Sequence, residues 1–353
     1  MTTTVTGRTR QDRHADLLWD AVIAGDEYAA RDVVTAALDD GLGAETVLLD
    51  VIGAVQRRVG TEWAAARINV AQEHAATAIN ERVIAVLPAH AGRPATRHGR
   101  VTVACVDGEW HALPARLLAE TLTLRGFHVD YLGAQVPAPH LIAHLHRTAP
   151  DAVALSSSIP TRLPAAHATI TACQAAGVPV IVGGAAFGPD GRYATLLGAQ
   201  AWAPDARTAA DRLADRPLPL PVGEVHQPID DLPHLADQEY SMVARSATSL
   251  VATVYAGLAE RVPAMRDYTE QQRQHTAEDL AHIVDFLATS LYVGDDELFT
   301  GFLSWTADIL TARGVPANTL TASLALFAAE LRDFPRAGRL IAAGTTHLER
   351  IGA

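Results

Sequence analysis

Val101-Thr-Val-Ala-Cys-Val106 and the Asp107-Gly-Glu-Trp-His-Ala-Leu-Pro114 that follows it form the stretch that decides the fold. The apolar run predicts a buried strand, and the amphipathic segment over 113–125 predicts a helix. The polar residues between them therefore lie beyond the carboxyl end of a strand, where open α/β sheets bind ligands. Glu109, two residues before His111, is placed to orient its imidazole.

The residues around this stretch repeat the same pattern. Further apolar runs, each followed by a predicted helix or turn, predict a flavodoxin-like or Rossmann-like domain over 99–216 with five parallel strands. Hydroxyls of Ser156 and Ser158, which follow the third strand, can bond polar ligand atoms. Gly183 and Gly184 follow the fourth strand and let a ligand approach the backbone closely. The remaining strands are predicted at 129–132, 153–155, 178–182 and 201–203, with helices at 137–147, 163–175 and 205–214.

The ordered set Glu-x-His, Ser-x-Ser and Gly-Gly resembles the cobalamin-binding domain of methionine synthases, mutases and light sensors. The resemblance implies base-off cobalamin with His111 as the lower cobalt ligand and with the nucleotide tail beside the serines and glycines. Trp110 and Leu113, which flank the histidine, join the predicted cobalamin-binding residues. Two residues depart from the family pattern, since Pro114 replaces a glycine and Glu109 replaces the commoner aspartate. The alternative is an ordinary flavodoxin-like domain with a loop histidine.

Residues 14–95 predict a helical bundle because their apolar residues recur at helical spacing. One helix is expected to start at Asn69, where Gln72 completes a capping box. Glu73 and His74 then lie in the first turns of that helix, and the preceding helix ends near Trp63.

The pattern of Trp63, nine residues and then Glu73-His74 resembles the helical cap of adenosylcobalamin light sensors. The resemblance implies that Trp63 packs on the adenosyl group and that Glu73 and His74 hydrogen-bond to it. Carotenoid-gene repressors of that family carry a histidine directly after the tryptophan, where this chain has Ala64. We therefore expect a different photoproduct or another capturing residue. The alternative is a core tryptophan and a solvated Glu-His pair.

The composition restricts the partners. The formal net charge is −12 and all 28 basic residues are arginine, so a concentrated phosphate-binding surface is not expected. The polar start, without an apolar segment, predicts neither a signal peptide nor a membrane anchor, hence a cytoplasmic protein. Because only about a dozen residues precede the first predicted helix, we expect none of the DNA-binding domains that those repressors carry.

Residues 239–353 predict a second, all-α domain because their apolar residues recur at helical spacing. A proline-rich segment over 217–238 precedes it and is typical of a stiff linker. Within the helix near 275–291, His275, Asp279, His282 and Phe286 line one stripe. Such a stripe indicates a covered face, and the alternative is a solvated face with one exposed phenylalanine.

This domain order resembles the photocobilins, sensors that pair adenosylcobalamin with biliverdin. The resemblance implies that residues 239–353 form a globin-like, biliverdin-binding domain. Arginines suit bilin propionates, histidines suit pyrrole nitrogens, and aromatic rings supply stacking surfaces. The chain has two cysteines, Cys105 and Cys173, and both precede this domain, so biliverdin there is expected to bind without a thioether bond. The candidate bilin contacts are Arg261, Arg266, Tyr268, Arg273, His275, His282, Phe286 and Trp305.

The sequence therefore favours a non-enzymatic photoreceptor that changes its homo-oligomeric assembly in light, or acts on an effector protein. The first alternative is a corrinoid protein that carries methyl groups to a partner methyltransferase. In the second, residues 239–353 form only an oligomerisation bundle.

Overall fold

The computed structural model describes residues 9–92, 94–221, 228–313 and 318–352. These residues form two compact units. The first contains the described chain up to Ser158 together with the stretch from Ala172 to residue 221. The second contains Ile159–Thr171 and the described chain from residue 228 onward.

The first unit begins with the predicted helical bundle, here called the cap. Its first helix starts at a capping box between Thr9 and Asp12. The predicted capping box of Asn69 and Gln72 is confirmed, with each side chain bonded to the other residue's backbone N–H. Fully buried aliphatic residues such as Leu18 form the core. The helices are α1 (Arg10–Ile23), α2 (Glu27–Asp39), α3 (Ala44–Thr46), α4 (Gly53–Ala64), α5 (Val70–Ile84) and α6 (Val86–Ala91), with a π-helical segment at Val47–Ile52 between α3 and α4.

The described part of the α/β domain contains the predicted five-stranded parallel sheet, in the order β2-β1-β3-β4-β5. The pairing register places Cys105, Ser156, Gly183 and Ala203 side by side in one row across four strands. The loops that carry the predicted site residues therefore leave the sheet from the same edge. The elements are β1 (Arg100–Cys105), α7 (Ala112–Leu124), β2 (His128–Gly133), α8 (Ala138–Thr148), β3 (Ala152–Ser156), α9 (Leu163–Ala175), β4 (Val180–Gly183), α10 (Arg192–Leu196), β5 (Ala201–Ala203) and α11 (Ala206–Asp215).

Ion pairs join the cap to the α/β domain. Arg125, just after α7, binds Glu45 of α3 at 2.8 Å, and Arg207 of α11 binds Asp50 of the π-helical segment at 2.8 Å. Leu113 of α7 is buried among the cap's apolar residues. The cap thus has both apolar and ionic contacts with the domain that follows it.

The second unit is mainly helical, as predicted. Its core contains the fully buried Phe299 and Phe327. Two 3₁₀ turns, Pro228–Asp231 and Pro233–Asp237, lie in the predicted linker, and Leu232 and Leu235 are buried there. This end of the segment is therefore packed structure, while residues 222–227 of the linker lie outside the described residues. The helices are α12 (Glu239–Arg261), α13 (Glu270–Val293), α14 (Asp296–Ala312), α15 (Asn318–Glu330) and α16 (Pro335–Ile351).

One helix in the described residues, α12, is long and apolar enough to cross a membrane by length and composition alone. Its Val243, Leu250 and Val254 pack in the core of the second unit, as in a core helix of a folded domain. Pro335 is the first residue of α16.

The predicted polar stripe on α13 is largely solvated. His275, Asp279 and His282 are exposed, whereas Phe286 is half-buried. Its ring stacks on Phe302 of α14, with the ring centroids 3.9 Å apart. Phe286 is therefore covered by a neighbouring helix, and the other three residues face solvent.

Candidate functional site

The loop after β1 holds His111 against Glu109. The carboxylate accepts from the backbone N–H of His111 at 2.9 Å and contacts the imidazole Nδ1 at 2.6 Å. Glu109 has 1% of its side chain exposed, whereas His111 has 55% exposed. When the neutral ring donates through Nδ1, its Nε2 is the acceptor, and no described residue bonds that atom. Nε2 is therefore available to a ligand.

The loop after β3 fixes the same carboxylate from its other side. Ser157 donates its hydroxyl to Glu109 Oε2 at 3.1 Å, and Ser158 donates its backbone N–H to that oxygen at 2.7 Å. The hydrogen bond to Glu109 is the main cause of the raised pKa of His111, because the carboxylate stabilises the imidazolium. Ser158 was predicted through its hydroxyl, but it binds Glu109 through its backbone N–H. Ser157 was not predicted, because its buried position inside a run of three serines has no distinguishing signal in the sequence.

A cavity of about 110 Å³ opens at the carboxyl edge of the sheet. Ser156, Gly183 and Gly184 line it, together with Pro114 at the start of α7. The residue that departs from the family pattern is therefore part of the wall. The walls of the cavity are mostly apolar, and Ser156 and Asp205 are its lining residues with polar side chains. The other lining residues are Leu118, Ala154, Leu155, Ile181, Val182, Ala203, Pro204, Asp205, Ala206 and Ala209.

The backbone around position 184 requires a glycine, whether or not a ligand is bound. Its φ is +98°, and a Cβ atom there would lie 2.2 Å from the carbonyl oxygen of Ser157. Any larger residue would therefore displace the loop that holds Glu109. The sequence predicted this glycine because a ligand would approach the backbone closely. In the structure, the carbonyl group of Ser157 already leaves no room for a side chain.

The cap places Trp63 near the end of α4 and the pair Glu73-His74 in the first turns of α5, as predicted. Trp63 is half-buried against the cap core. Glu73 contacts Nδ1 of His74 at 2.5 Å, and 76% of the His74 side chain is exposed. Ala64 is the last residue of α4 and offers no polar side-chain atom.

The cap and the segment after β1 are in contact, since Leu113, two residues after His111, packs among the apolar residues of the cap. The negative charge of Glu73 contributes to the raised pKa of His111, so this cap carboxylate lies within electrostatic range of the imidazole. Two apolar side chains close in sequence to these residues are exposed. Val70 lies one helical turn before Glu73, and Trp110, next to His111, has 72% of its surface exposed. An exposed tryptophan beside an available imidazole is a surface suited to a large, partly apolar ligand.

Two family models match this half of the chain. The first, a B12 binding domain, matches residues 99–214, and a second B12 binding domain model matches residues 15–87. These two segments are B12-binding domains. The chain is accordingly a cobalamin-binding protein, with a helical cap followed by a Rossmann-like domain.

Two curated relatives match the chain distantly. It is 32% identical over 182 residues to the HTH-type transcriptional repressor CarH of Myxococcus xanthus, covering 49% of this chain and 59% of that protein. It is also 32% identical over 184 residues to the repressor CarA of the same organism, covering 49% and 58%. The matched stretch thus spans less than two thirds of either relative.

Among solved structures, the monomethylamine corrinoid protein of Methanosarcina barkeri is similar in fold. The TM-score is 0.51 at 20% identity, and the match covers 58% of this chain and all of that one. At this identity the likeness concerns the fold alone.

The residues present fit a cobalamin. A corrin ring supplies four nitrogen ligands, so the protein needs to add one imidazole, and His111 has the required free Nε2. No group of three His, Cys, Asp or Glu side chains in the described residues could hold a metal ion by itself. The cavity at Ser156 and Gly183 is available for a nucleotide tail.

The predicted bilin residues are spread over three helices of the second unit, α12, α13 and α14, and the turn between α12 and α13. Exposed residues predominate, and Tyr268 and Phe286 are the half-buried ones. Trp305, on α14, has 48% of its surface exposed, and its ring lies 6.4 Å from that of Phe302. Phe286, Phe302 and Trp305 therefore form an aromatic cluster, with Phe302 buried and Trp305 exposed at its edge. The exposed members are Arg261, Arg266, Arg273, His275, His282 and Trp305.

Proposed function

We propose that the protein is a photoreceptor that holds adenosylcobalamin between its cap and its α/β domain. The observation that carries the proposal is the His111–Glu109 pair with its available Nε2, followed by Leu113, which packs against the cap that carries Trp63 and Glu73. When bound, adenosylcobalamin supplies a cobalt–carbon bond that visible light cleaves. The distant similarity to CarH and CarA over this half of the chain supports the proposal.

Each residue has a defined part in this proposal. His111 would ligate the cobalt through Nε2, while Glu109 holds its other nitrogen and so fixes the ring orientation. Trp63 covers the adenosyl group by stacking, and Glu73 and His74 hydrogen-bond to its ribose or base. The protein itself performs no catalysis in this proposal. Light changes the contacts of the cap and thereby a homo-oligomeric assembly or the binding of an effector protein.

The test is illumination of the protein reconstituted with adenosylcobalamin in the dark. We expect an irreversible change in the absorption spectrum under visible light and a change in elution volume on gel filtration. His111→Ala should lose the spectrum of histidine-ligated, base-off cobalamin, whereas the exposed control His140→Ala should retain it. A spectrum unchanged by light would contradict the photoreceptor and favour a methyl-carrying corrinoid protein.

We also propose biliverdin as a second, non-covalently bound chromophore of the second unit. The aromatic cluster of Phe286, Phe302 and Trp305, with the exposed Arg273, His275 and His282 on α13, supports this proposal. Biliverdin added to the full chain should give a red-shifted, structured absorption band. That band should weaken in His282→Ala and persist in His140→Ala. An identical band in both variants would mean that the bilin binds elsewhere, and no band would leave this unit as an oligomerisation bundle.

A further inference from the structure

Helices α4 and α5 share a chain of hydrogen bonds that ends on Glu73. Asn80 donates its amide N–H to Gln56 Oε1 at 2.8 Å, and Gln56 donates its own amide N–H to Thr77 Oγ1 at 2.8 Å. Thr77 then donates its hydroxyl to Glu73 Oε1 at 2.9 Å. We call these four residues the cap relay. Because each group accepts from one neighbour and donates to the next, the relay has a single consistent direction.

The direction matters at Thr77. Its hydroxyl carries one proton, and its oxygen already accepts from Gln56, so the proton points to the Glu73 carboxylate. The other oxygen of Glu73 contacts Nδ1 of His74. Both carboxylate oxygens are therefore occupied from defined sides, and the side chain is fixed rather than free to rotate.

The relay is anchored in the cap core. Asn80 is fully buried, and no described residue bonds its Oδ1. A buried amide with an unsatisfied oxygen costs free energy, on the order of 1–3 kcal/mol. A leucine or alanine at this position would avoid that cost, so packing alone does not account for the asparagine.

The relay also joins the two helices that carry the adenosyl-facing residues of the proposed site. Gln56 precedes Trp63 by seven residues, which is two helical turns, so both lie on the same side of α4. Glu73, Thr77 and Asn80 are spaced by four and three residues and share one face of α5. A bond between Gln56 and Thr77 therefore sets the register of Trp63 relative to Glu73.

We infer that Gln56, Thr77 and Asn80 are positioning residues, which hold the Glu73 carboxylate ready for the upper ligand of cobalamin and make the site selective for adenosyl. This inference rests on the proposed function, in which Glu73 contacts the adenosyl group. It predicts that damage to the relay reduces affinity for adenosylcobalamin more than affinity for a cobalamin with a small upper ligand.

The experiment is spectroscopic titration of the full chain in the dark with adenosylcobalamin and, separately, with hydroxocobalamin. Thr77→Val removes the hydroxyl and should weaken adenosylcobalamin binding about ten-fold, as for loss of a hydrogen bond to a charged group. Hydroxocobalamin affinity should change less than about two-fold, since that ligand does not reach Glu73. Thr77→Ser keeps the hydroxyl and should restore the selectivity.

Thr35→Val is the matched control. Thr35 lies half-buried on α2, and its hydroxyl bonds only to the carbonyl of Arg31 in its own helix. Equal adenosylcobalamin affinities for Thr77→Val and Thr35→Val would overturn the inference that the relay positions Glu73. An equal loss of affinity for both cobalamins in Thr77→Val would also overturn it, because it would indicate a purely structural role for Thr77. If the wild-type chain binds neither cobalamin, the proposed function itself fails, an outcome distinct from both.

Discussion

At the scale of single residues, the pairing of Glu109 with His111 sets the chemistry of the site. The hydrogen bond from Glu109 raises the pKa of His111 by stabilising the imidazolium, and burial opposes it. Glu109→Gln should therefore lower the pKa of His111 in the cobalamin-free protein, measured by NMR titration of the ring protons. Glu73→Gln should lower it less, because Glu73 acts only by its charge from farther away. An unchanged pKa in Glu109→Gln would mean that the pair does not persist in solution.

Gly184 gives a second prediction at this scale. Gly184→Ala should reduce the free energy of unfolding by about 2 kcal/mol or more, since its Cβ would overlap the Ser157 carbonyl at a positive φ. Gly198→Ala is the matched control, because Gly198 also has a positive φ but has open space around it. Gly198→Ala should reduce the free energy of unfolding by only about 1 kcal/mol, from backbone strain alone. Urea denaturation measures both, and equal losses would contradict the close approach to Ser157.

At the scale of elements, the ion pairs between the cap and the α/β domain make the stability depend on pH. The hydrogen bond from Arg125 is the largest influence on Glu45 and lowers its pKa below the ordinary value of 4.5. A carboxyl group whose pKa is lowered by folding stabilises the fold at pH values above its ordinary pKa. That stabilisation is lost as the pH falls through the pKa of the folded state. Glu45→Gln should therefore be less stable than wild type at pH 7, by about 1 kcal/mol for a pair that is partly exposed.

Urea denaturation at a series of pH values measures this difference. It should stay constant between pH 7 and about 5 and shrink below the ordinary carboxyl pKa. Glu27→Gln, which removes an exposed ion pair with Arg82 inside the cap, is the control and should change stability less. A Glu45→Gln difference that persists undiminished in acid would exclude the ion pair as its cause.

The elements were the most predictable part of the molecule. Apolar runs such as 101–106 and the capping box at Asn69 are local signals, and each is confirmed within one or two residues. The ion pair of Glu45 with Arg125 joins residues 80 positions apart, and no local pattern marks it. The same holds for Gln56 in the cap relay and for Ser157 on Glu109, since their roles come from packing between elements. The α13 stripe was over-interpreted, because helical spacing does not reveal which face a neighbour covers.

At the scale of the whole molecule, the two compact units have separate cores and separate proposed ligands. His111, the cavity and the cap all belong to the first unit. In the second unit, the fully buried His167 contacts the Tyr292 hydroxyl through Nδ1 and the Asp231 carboxylate through Nε2, each at 3.0 Å. Burial raises the pKa of Tyr292. This arrangement suggests that each ligand or substitution stabilises mainly the unit that it touches.

Calorimetry of the full chain should therefore resolve two unfolding transitions. Adenosylcobalamin at about 100 times its dissociation constant should add about 2.7 kcal/mol to the unit that binds it and raise that transition. Tyr292→Phe removes the hydroxyl that bonds His167 Nδ1 in the buried core of the second unit. It should therefore lower the transition of that unit, by about 1–3 kcal/mol in free energy of unfolding. Tyr28→Phe, at an exposed position of α2, is the control. If the ligand and Tyr292→Phe moved the same single transition, the chain would unfold as one cooperative body, and the units would share their stability.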